Sequence, residues 1–226
     1  MYGVYDGKQT YPSFHDLYEF IKRIKCDGPE SKRYKDRILN RLLAILITHP
    51  ALYDCSIGFS IENLFKSTSV LELNGFTHKH ASFLTNMFLF RIFNHRVANN
   101  IRGHGISNVC IFDEAKWLFP VSTPNQISIE GYSPISYILA QMREFGLGMV
   151  VADQSLAVEE QLFVNTLIKM ILPLGSGEDI EKASRVLALN KEQTEWINRL
   201  HPGEAICRLP YFPEPVIVQI PEFPLG

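Results

Sequence analysis

The sequence has no apolar run long enough to cross a membrane and no sign of a secretion signal. Its densest aliphatic stretch runs from Leu42 to Ile47, well short of the roughly 18 residues of a membrane span. The N-terminus lacks the charged segment, apolar core and cleavage site of a signal peptide. We therefore expect a cytoplasmic location and no membrane segment in these residues.

Cysteine is scarce and scattered. No two of the four cysteines have CxxC spacing. A structural zinc site needs clustered ligands, and a disulfide framework needs a secreted setting. The sequence therefore favours four separate thiols in a reducing compartment: Cys26, Cys55, Cys110 and Cys207.

The chain also lacks an excess of charge of either sign. Its 226 residues carry 22 Lys and Arg against 24 Asp and Glu, a formal net charge of −2. This excludes a strongly basic nucleic-acid arm and an acidic tail, although not a local basic patch.

One helix has a basic face that could meet a DNA backbone, but Glu30 and Asp36 dilute its positive charge and favour a solvated surface. That face comprises Lys32, Arg33, Lys35, Arg37 and Arg41.

Glycine is present but dispersed. The fourteen glycines include no adjacent pair and no GxxxxGK[ST], the loop whose backbone amides and lysine hold nucleotide phosphates. The single Gly-Lys pair, Gly7-Lys8, is followed by Gln9 and has its preceding glycine, Gly3, at the wrong spacing. We reject it as a P-loop.

Strand and helix patterns alternate along the chain. Continuous apolar runs at 109–112 and 147–152 are typical of strands buried on both faces of a parallel sheet, and residues 69–73 also have the pattern of a strand. Proline-rich residues near the C-terminus separate two short strand patterns, which indicates a hairpin or an edge addition. The predicted fold is α/β, a parallel sheet with helices on both faces. Helical periodicity covers most of residues 1–60 and five later segments, near 79–101, 134–145, 156–166, 179–187 and 191–200.

Two adjacent acids follow the first apolar strand. Asp113 and Glu114 come directly after the apolar run 109–112, and ligands bind at the carboxyl edge of parallel sheets. In nucleoside triphosphate hydrolysis one carboxylate holds Mg²⁺, usually through water, and another orients or deprotonates the attacking water. A strand that simply ends in a charged loop is the alternative.

The second strand supplies a further polar group. Gln154 follows the strand that ends near Ala152, and it could hydrogen-bond a γ-phosphate or the attacking water. Arg143, at the end of the preceding helix, could reach the phosphate of an adjacent subunit as an arginine finger. Alternatively, Arg143 is a solvated cation favoured by the helix dipole.

Together these motifs resemble the HerA/FtsK superfamily of hexameric RecA-like ATPases, and most closely its HerA-like branch. The resemblance covers roughly residues 65–210 and rests on the order of the motifs: a strand with Asp113-Glu114, a helix, Arg143-x-Phe-Gly-x-Gly, a second strand and Gln154. It implies a P-loop NTPase-type, mainly parallel sheet flanked by helices, in a single partial ATPase-core domain of residues 1–226. It also implies a hexameric, ATP- and Mg²⁺-dependent DNA translocase or helicase.

The resemblance assigns roles residue by residue. Asp113 and Glu114 would be the Walker B pair and would contact the nucleotide site, with Asp113 on Mg²⁺ through water and Glu114 as the catalytic base. Gln154 would be the sensor and Arg143 the arginine finger.

The missing P-loop departs from this family pattern. We expect the chain to be the C-terminal portion of a longer ATPase, inactive in isolation. One alternative is a non-catalytic or regulatory subunit that retains the ring interface. Another is a conjugation or defence ATPase that acts on a partner protein such as a nuclease.

Other chemistry-bearing residues are weaker candidates. His78 and His80 flank Lys79 at a helix start, without a third metal ligand at suitable spacing. Trp117 and Trp196 are interpreted as packing residues. The sequence contains no G-x-S-x-G motif and no plausible Cys/His nucleophile pair.

Overall fold

The computed structural model describes residues 12–54, 60–103, 105–119, 134–158 and 160–222. The Gly7-Lys8 pair and the loop 120–133 lie outside these ranges. The chain consists of two compact units, Met1–Thr68 and Ser69–Gly226. That residues 1–226 form one ATPase-core domain stays a prediction.

The first unit is helical in its described residues. Its longest helix, α2, begins at Pro29, where proline suits the first helical turn. Ser13 caps α1 in a capping box with Asp16, as the Pro-Ser start of this helix predicts. The Lys35 ammonium donates to the Lys22 and Ile24 carbonyls, both at 2.7 Å, so one member of the basic face caps the end of α1. The helices are α1 (Phe14–Arg23), α2 (Pro29–Thr48), α3 (Pro50–Tyr53) and α4 (Ile61–Lys66).

The second unit contains both sheets and the acids of interest. It begins with a segment without regular secondary structure and continues through a long helix into alternating strands and helices. Its elements are α5 (His78–Ala98), β1 (Asn108–Phe112), α6 (Ala115–Leu118), α7 (Pro134–Gln141), a 3₁₀ turn (Met142–Phe145), β2 (Leu147–Val151), α8 (Glu160–Asn165), β3 (Lys169–Ile171), α9 (Gly177–Leu187), α10 (Lys191–Ile197), β4 (Glu204–Arg208) and β5 (Val216–Gln219).

The strands form two sheets. β1 and β2 pair in parallel, from Asn108 opposite Leu147 to Phe112 opposite Val151, so their carboxyl ends are level. β3, β4 and β5 form an antiparallel sheet in that order. The C-terminal hairpin is confirmed. β3 belongs to the antiparallel sheet because it pairs with β4.

Each sheet packs on its own hydrophobic cluster. The parallel sheet places Cys110, Phe112, Met149 and Val151 against a core built by α5, α6, α7 and the 3₁₀ turn. The antiparallel sheet packs β4 against α9 and α10, where Leu187, Ile197 and Ile206 are fully buried. Burying side chains of this size contributes about 1.5–3 kcal/mol each.

Two sequence predictions about strands are wrong. The segment 69–73 pairs with no other strand in the described part of the chain, and Val70 is 82% exposed. β1 and β2 are not buried on both faces, since Val109, Ile111 and Val150 are at least half exposed. In both cases a neighbour is missing among the described residues: no strand there pairs with 69–73, and no element there covers Val109, Ile111 and Val150.

Candidate functional site

The acids after β1 lie where the parallel sheet ends. Backbone pairing continues one step past the strands, since the Ala152 N–H donates to Phe112 O at 2.8 Å and the Ala115 N–H donates to Ala152 O at 3.2 Å. This ladder fixes the residues after β1 beside the residues after β2. Asp113 and Glu114 therefore face Asp153 and Gln154 across one sheet edge.

Glu114 has an unusual backbone conformation. It precedes α6 with φ 52° and ψ 47°, in the left-handed region. A residue with a Cβ is less stable there by about 1–2 kcal/mol, and such residues cluster at functional sites. The Glu114 N–H donates to the Asp113 Oδ1 at 2.9 Å, which helps to hold the turn.

The structure brings the Glu114 and Gln154 side chains into contact. The Gln154 amide nitrogen donates to the Glu114 Oε1 at 2.7 Å. Glu114 is partly exposed and Gln154 and Asp113 are exposed, so all three are accessible from solvent. Two groups this close together could act on one water molecule or phosphate oxygen.

Two residues of this site, Lys116 and Asp153, are not among those that the sequence motifs predicted. The Lys116 ammonium lies 3.1 Å from the Glu114 Oε2 and 3.7 Å from the Asp153 Oδ1. Its pKa is raised, first by the hydrogen bond to Glu114 and further by the charges of Asp153 and Glu114. A cation two residues after an acidic pair, on the first turn of a helix, is the signal that could have identified Lys116.

The loop that carries Gln154 is held on both sides. Asp153 accepts the Lys116 backbone N–H at 2.6 Å and the Ser155 N–H at 2.8 Å. On the other side, Asp179 in the first turn of α9 accepts the Leu156 N–H at 3.0 Å. Gln154 therefore projects from a loop tied to both α6 and α9.

Arg143 lies at the opposite edge of the parallel sheet. It belongs to the 3₁₀ turn directly before β2 and is exposed, so the strand of five residues, about 15 Å long, separates it from Gln154. The structure does not bring Arg143 to the Glu114–Gln154 pair.

The residues that follow Arg143 have structural roles. Phe145 is buried in the core. Gly146 adopts φ +65°, and an added Cβ would lie 2.8 Å from the Gly105 carbonyl oxygen.

A buried arginine anchors that opposite edge. Arg96 of α5 donates to the Phe145 carbonyl at 2.6 Å and to the Ser107 hydroxyl at 2.9 Å, and its second terminal nitrogen contacts the Asn108 side chain. Burial lowers the pKa of Arg96, partly offset by Cys110. This network ties the end of α5 to the starts of both parallel strands.

The weaker candidates have other surroundings. The His78 and Trp117 rings stack at 3.7 Å between centroids, with Trp117 42% exposed, while Trp196 packs against the second cluster. Among the described residues, no three His, Cys, Asp or Glu side chains are grouped as metal ligands. No helix in the described ranges combines the length and apolar character of a membrane span.

The sequence matches no protein-family model, and a search of curated proteins finds no match. Solved structures do resemble it. The genome packaging NTPase B204 from Sulfolobus turreted icosahedral virus 2 aligns in its AMPPCP complex with a TM-score of 0.52 at 12% identity, over 74% of this chain and 73% of that one. Its ATP-gammaS complex gives 0.51 at 13% identity, over 72% and 73%.

VirB4 of Thermoanaerobacter pseudethanolicus has a TM-score of 0.55 at 13% identity, covering 96% of this chain and 57% of the VirB4 chain. The chain thus spans just over half the length of that protein. At these identities the likeness establishes the fold alone, and it confirms the predicted α/β fold class.

Proposed function

We propose that this chain carries the water-activating half of an ATP-hydrolysing motor, with Asp113 and Glu114 as its Walker B pair. The contact between Gln154 and Glu114 at the carboxyl edge of the parallel sheet is the observation that carries this proposal. Both side chains come from neighbouring strand ends, where nucleotide ligands bind in open α/β sheets. The B204 structures were obtained with the nucleotide analogues AMPPCP and ATP-gammaS, which supports ATP as the substrate.

In this proposal Glu114 and Gln154 have separate roles. Glu114 accepts a proton from the attacking water, and Gln154 orients that water or contacts the γ-phosphate. Both roles require solvent access and a short distance between the two side chains, and the 2.7 Å contact meets the second requirement. General base catalysis of this kind contributes about 10²–10⁴-fold to the rate.

The residues present fit Mg²⁺ bound through water. Magnesium prefers oxygen ligands and usually keeps several waters, taking one or two protein carboxylates together with substrate phosphates. Asp113 offers an exposed carboxylate beside Glu114, and the described residues hold no grouped set of three direct ligands. When bound, the ion would neutralise charge on the transferring phosphate, with Asp113 holding its water shell.

Arg143 serves this chemistry only between subunits. Because it lies at the edge opposite Glu114, its role as an arginine finger requires a neighbouring copy whose nucleotide site faces that edge. We therefore propose a homo-oligomeric ring, hexameric by the family resemblance. DNA is the proposed substrate, since B204 is a genome packaging NTPase, and translocase or helicase activity would follow from it.

A Glu114→Gln variant tests the assignment in the gene product that contains residues 1–226. We expect Mg²⁺-dependent phosphate release to fall by about 100-fold or more, with ATP affinity within about twofold of wild type, since the amide keeps the size but cannot take the proton. The control is Glu195→Gln, an exposed glutamate of α10 paired with Arg199. Normal turnover by Glu114→Gln would refute the proposal.

The second candidate is a non-catalytic or regulatory subunit, and the absence of GxxxxGK[ST] from these residues favours it. Without phosphate-binding residues from outside the 226, we expect no hydrolysis by this chain. Hydrolysis by residues 1–226 alone at about 1 per second or faster would show that they need no such residues. ATP binding without hydrolysis in the whole gene product would favour the regulatory function.

A further inference from the structure

Lys116 is the cation of the site, and it contacts the proposed base directly. Its ammonium lies 3.1 Å from the Glu114 Oε2, and its side chain is 22% exposed. Its backbone N–H donates to Asp153 at 2.6 Å, so the start of α6 is fixed independently of the side chain. The ammonium can therefore move without unravelling the helix start.

Both carboxylate oxygens of Glu114 are engaged. Oε1 accepts the Gln154 amide at 2.7 Å, and Oε2 accepts the Lys116 ammonium. A general base must offer an oxygen lone pair to the proton of the attacking water. An ammonium that donates to the same oxygen competes with that water for the oxygen.

The Lys116 ammonium also lies near a second group, the Trp117 ring. It lies 5.4 Å from the centroid of the Trp117 ring, within cation–π range. The other partner of that ring, His78, is stacked on it and keeps its position defined. Lys116 can thus leave Glu114 and remain over Trp117.

We propose that Lys116 is a positioning residue that restrains Glu114 in the resting site and must release it before water is activated. The inference rests on the proposed function and adds its regulation: turnover is limited by how often the Glu114–Lys116 contact opens. Gln154 orients the same carboxylate but carries no charge, so the restraint belongs to Lys116.

Amine labelling tests the contact in the chain itself, without any activity. The protein is treated with a limiting acylating reagent, and Lys116 is compared by mass spectrometry with Lys191, which is exposed on α10. We expect Lys116 to label about two- to fivefold more slowly than Lys191, the factor that a surface ion pair gives. Glu114→Ala should raise the labelling rate of Lys116 by that factor, and any difference that is left reflects its lower exposure and its contact with Asp153. Asp113→Ala should leave the labelling rate of Lys116 unchanged. Equal labelling of both lysines in the wild type, or no effect of Glu114→Ala, would overturn the contact.

Kinetics of the gene product test the restraint. We expect Lys116→Met to raise kcat for ATP hydrolysis by about two- to fivefold with KM changed less than twofold, and Lys116→Arg to fall between it and the wild type. Lys116→Gln replaces Lys116→Met if the latter fails to fold. A kcat at or below the wild-type value would overturn the restraint. Absence of hydrolysis in the wild type would instead refute the proposed function, with the labelling result unaffected.

Discussion

The buried Arg96 network gives a stability prediction that the structure makes quantitative. The side chain is 4% exposed and donates from its guanidinium to Ser107, Asn108 and the Phe145 carbonyl. Arg96→Met keeps an unbranched side chain of similar reach, so most of the apolar packing survives. The change removes the donors and leaves their acceptors in place.

The size of the effect follows from three opposing contributions. Each hydrogen bond to a charged group contributes about 1.5–3 kcal/mol, and acceptors left without donors in the core add a penalty. Against this, methionine avoids the several kcal/mol needed to bury a charge. We expect the free energy of unfolding to fall by about 3 kcal/mol, which at 2–4 °C per kcal/mol lowers Tm by about 6–12 °C.

Tryptophan fluorescence during urea unfolding is the assay, because both tryptophans, Trp117 and Trp196, lie in the second unit together with Arg96. The control is Arg91→Met, an exposed arginine of the same helix, which should change stability by no more than about 0.5 kcal/mol. A loss of less than about 1 kcal/mol for Arg96→Met, or one equal to that of the control, would refute the reasoning about the network.

Three further predictions concern single positions. Gly146→Ala should destabilise the second unit by about 2–4 kcal/mol, measured by urea unfolding, because of its positive φ and the contact with the Gly105 oxygen; an unchanged midpoint would contradict this. Ala188→Gly should raise stability by about 0.5 kcal/mol, since Ala188 ends α9 in the left-handed region; a lower Tm would contradict it. Burial raises the pKa of the Cys207 thiol, so less thiolate forms at a given pH, and iodoacetamide at pH 8 should label Cys207 at least about tenfold more slowly than the half-buried Cys26. Equal labelling rates would contradict the burial of Cys207.

The parts of the fold that sequence could predict are those set by local pattern. Apolar runs of strand length predicted β1 and β2. The rule that ligands bind at the carboxyl ends of parallel strands indicated Glu114 and Gln154 as site residues. The roles of these residues remain predictions. Ser13 and proline spacing likewise located α1, because caps and periodicity are short-range signals.

The remainder depends on partners distant in sequence. The segment 69–73 has the composition of a strand but no pairing partner among the described residues, and composition alone cannot supply one. The antiparallel direction of β3 is set by its partner β4, more than thirty residues later. Lys116 lies in the site because the left-handed turn at Glu114 and the backbone pairing beyond β2 bring its side chain together with those of Glu114 and Asp153.

The left-handed conformation of Glu114 has a consequence for selection experiments. A library at position 114 sorted only for folding yield would enrich glycine and asparagine, which adopt this conformation at little cost. With Glu114 in its proposed role, the same library sorted for turnover would retain glutamate. Position 114 would then be among the least favourable residues of the second unit for folding and among the least replaceable for turnover. A sequence optimised for thermal stability alone would therefore lose Glu114 early.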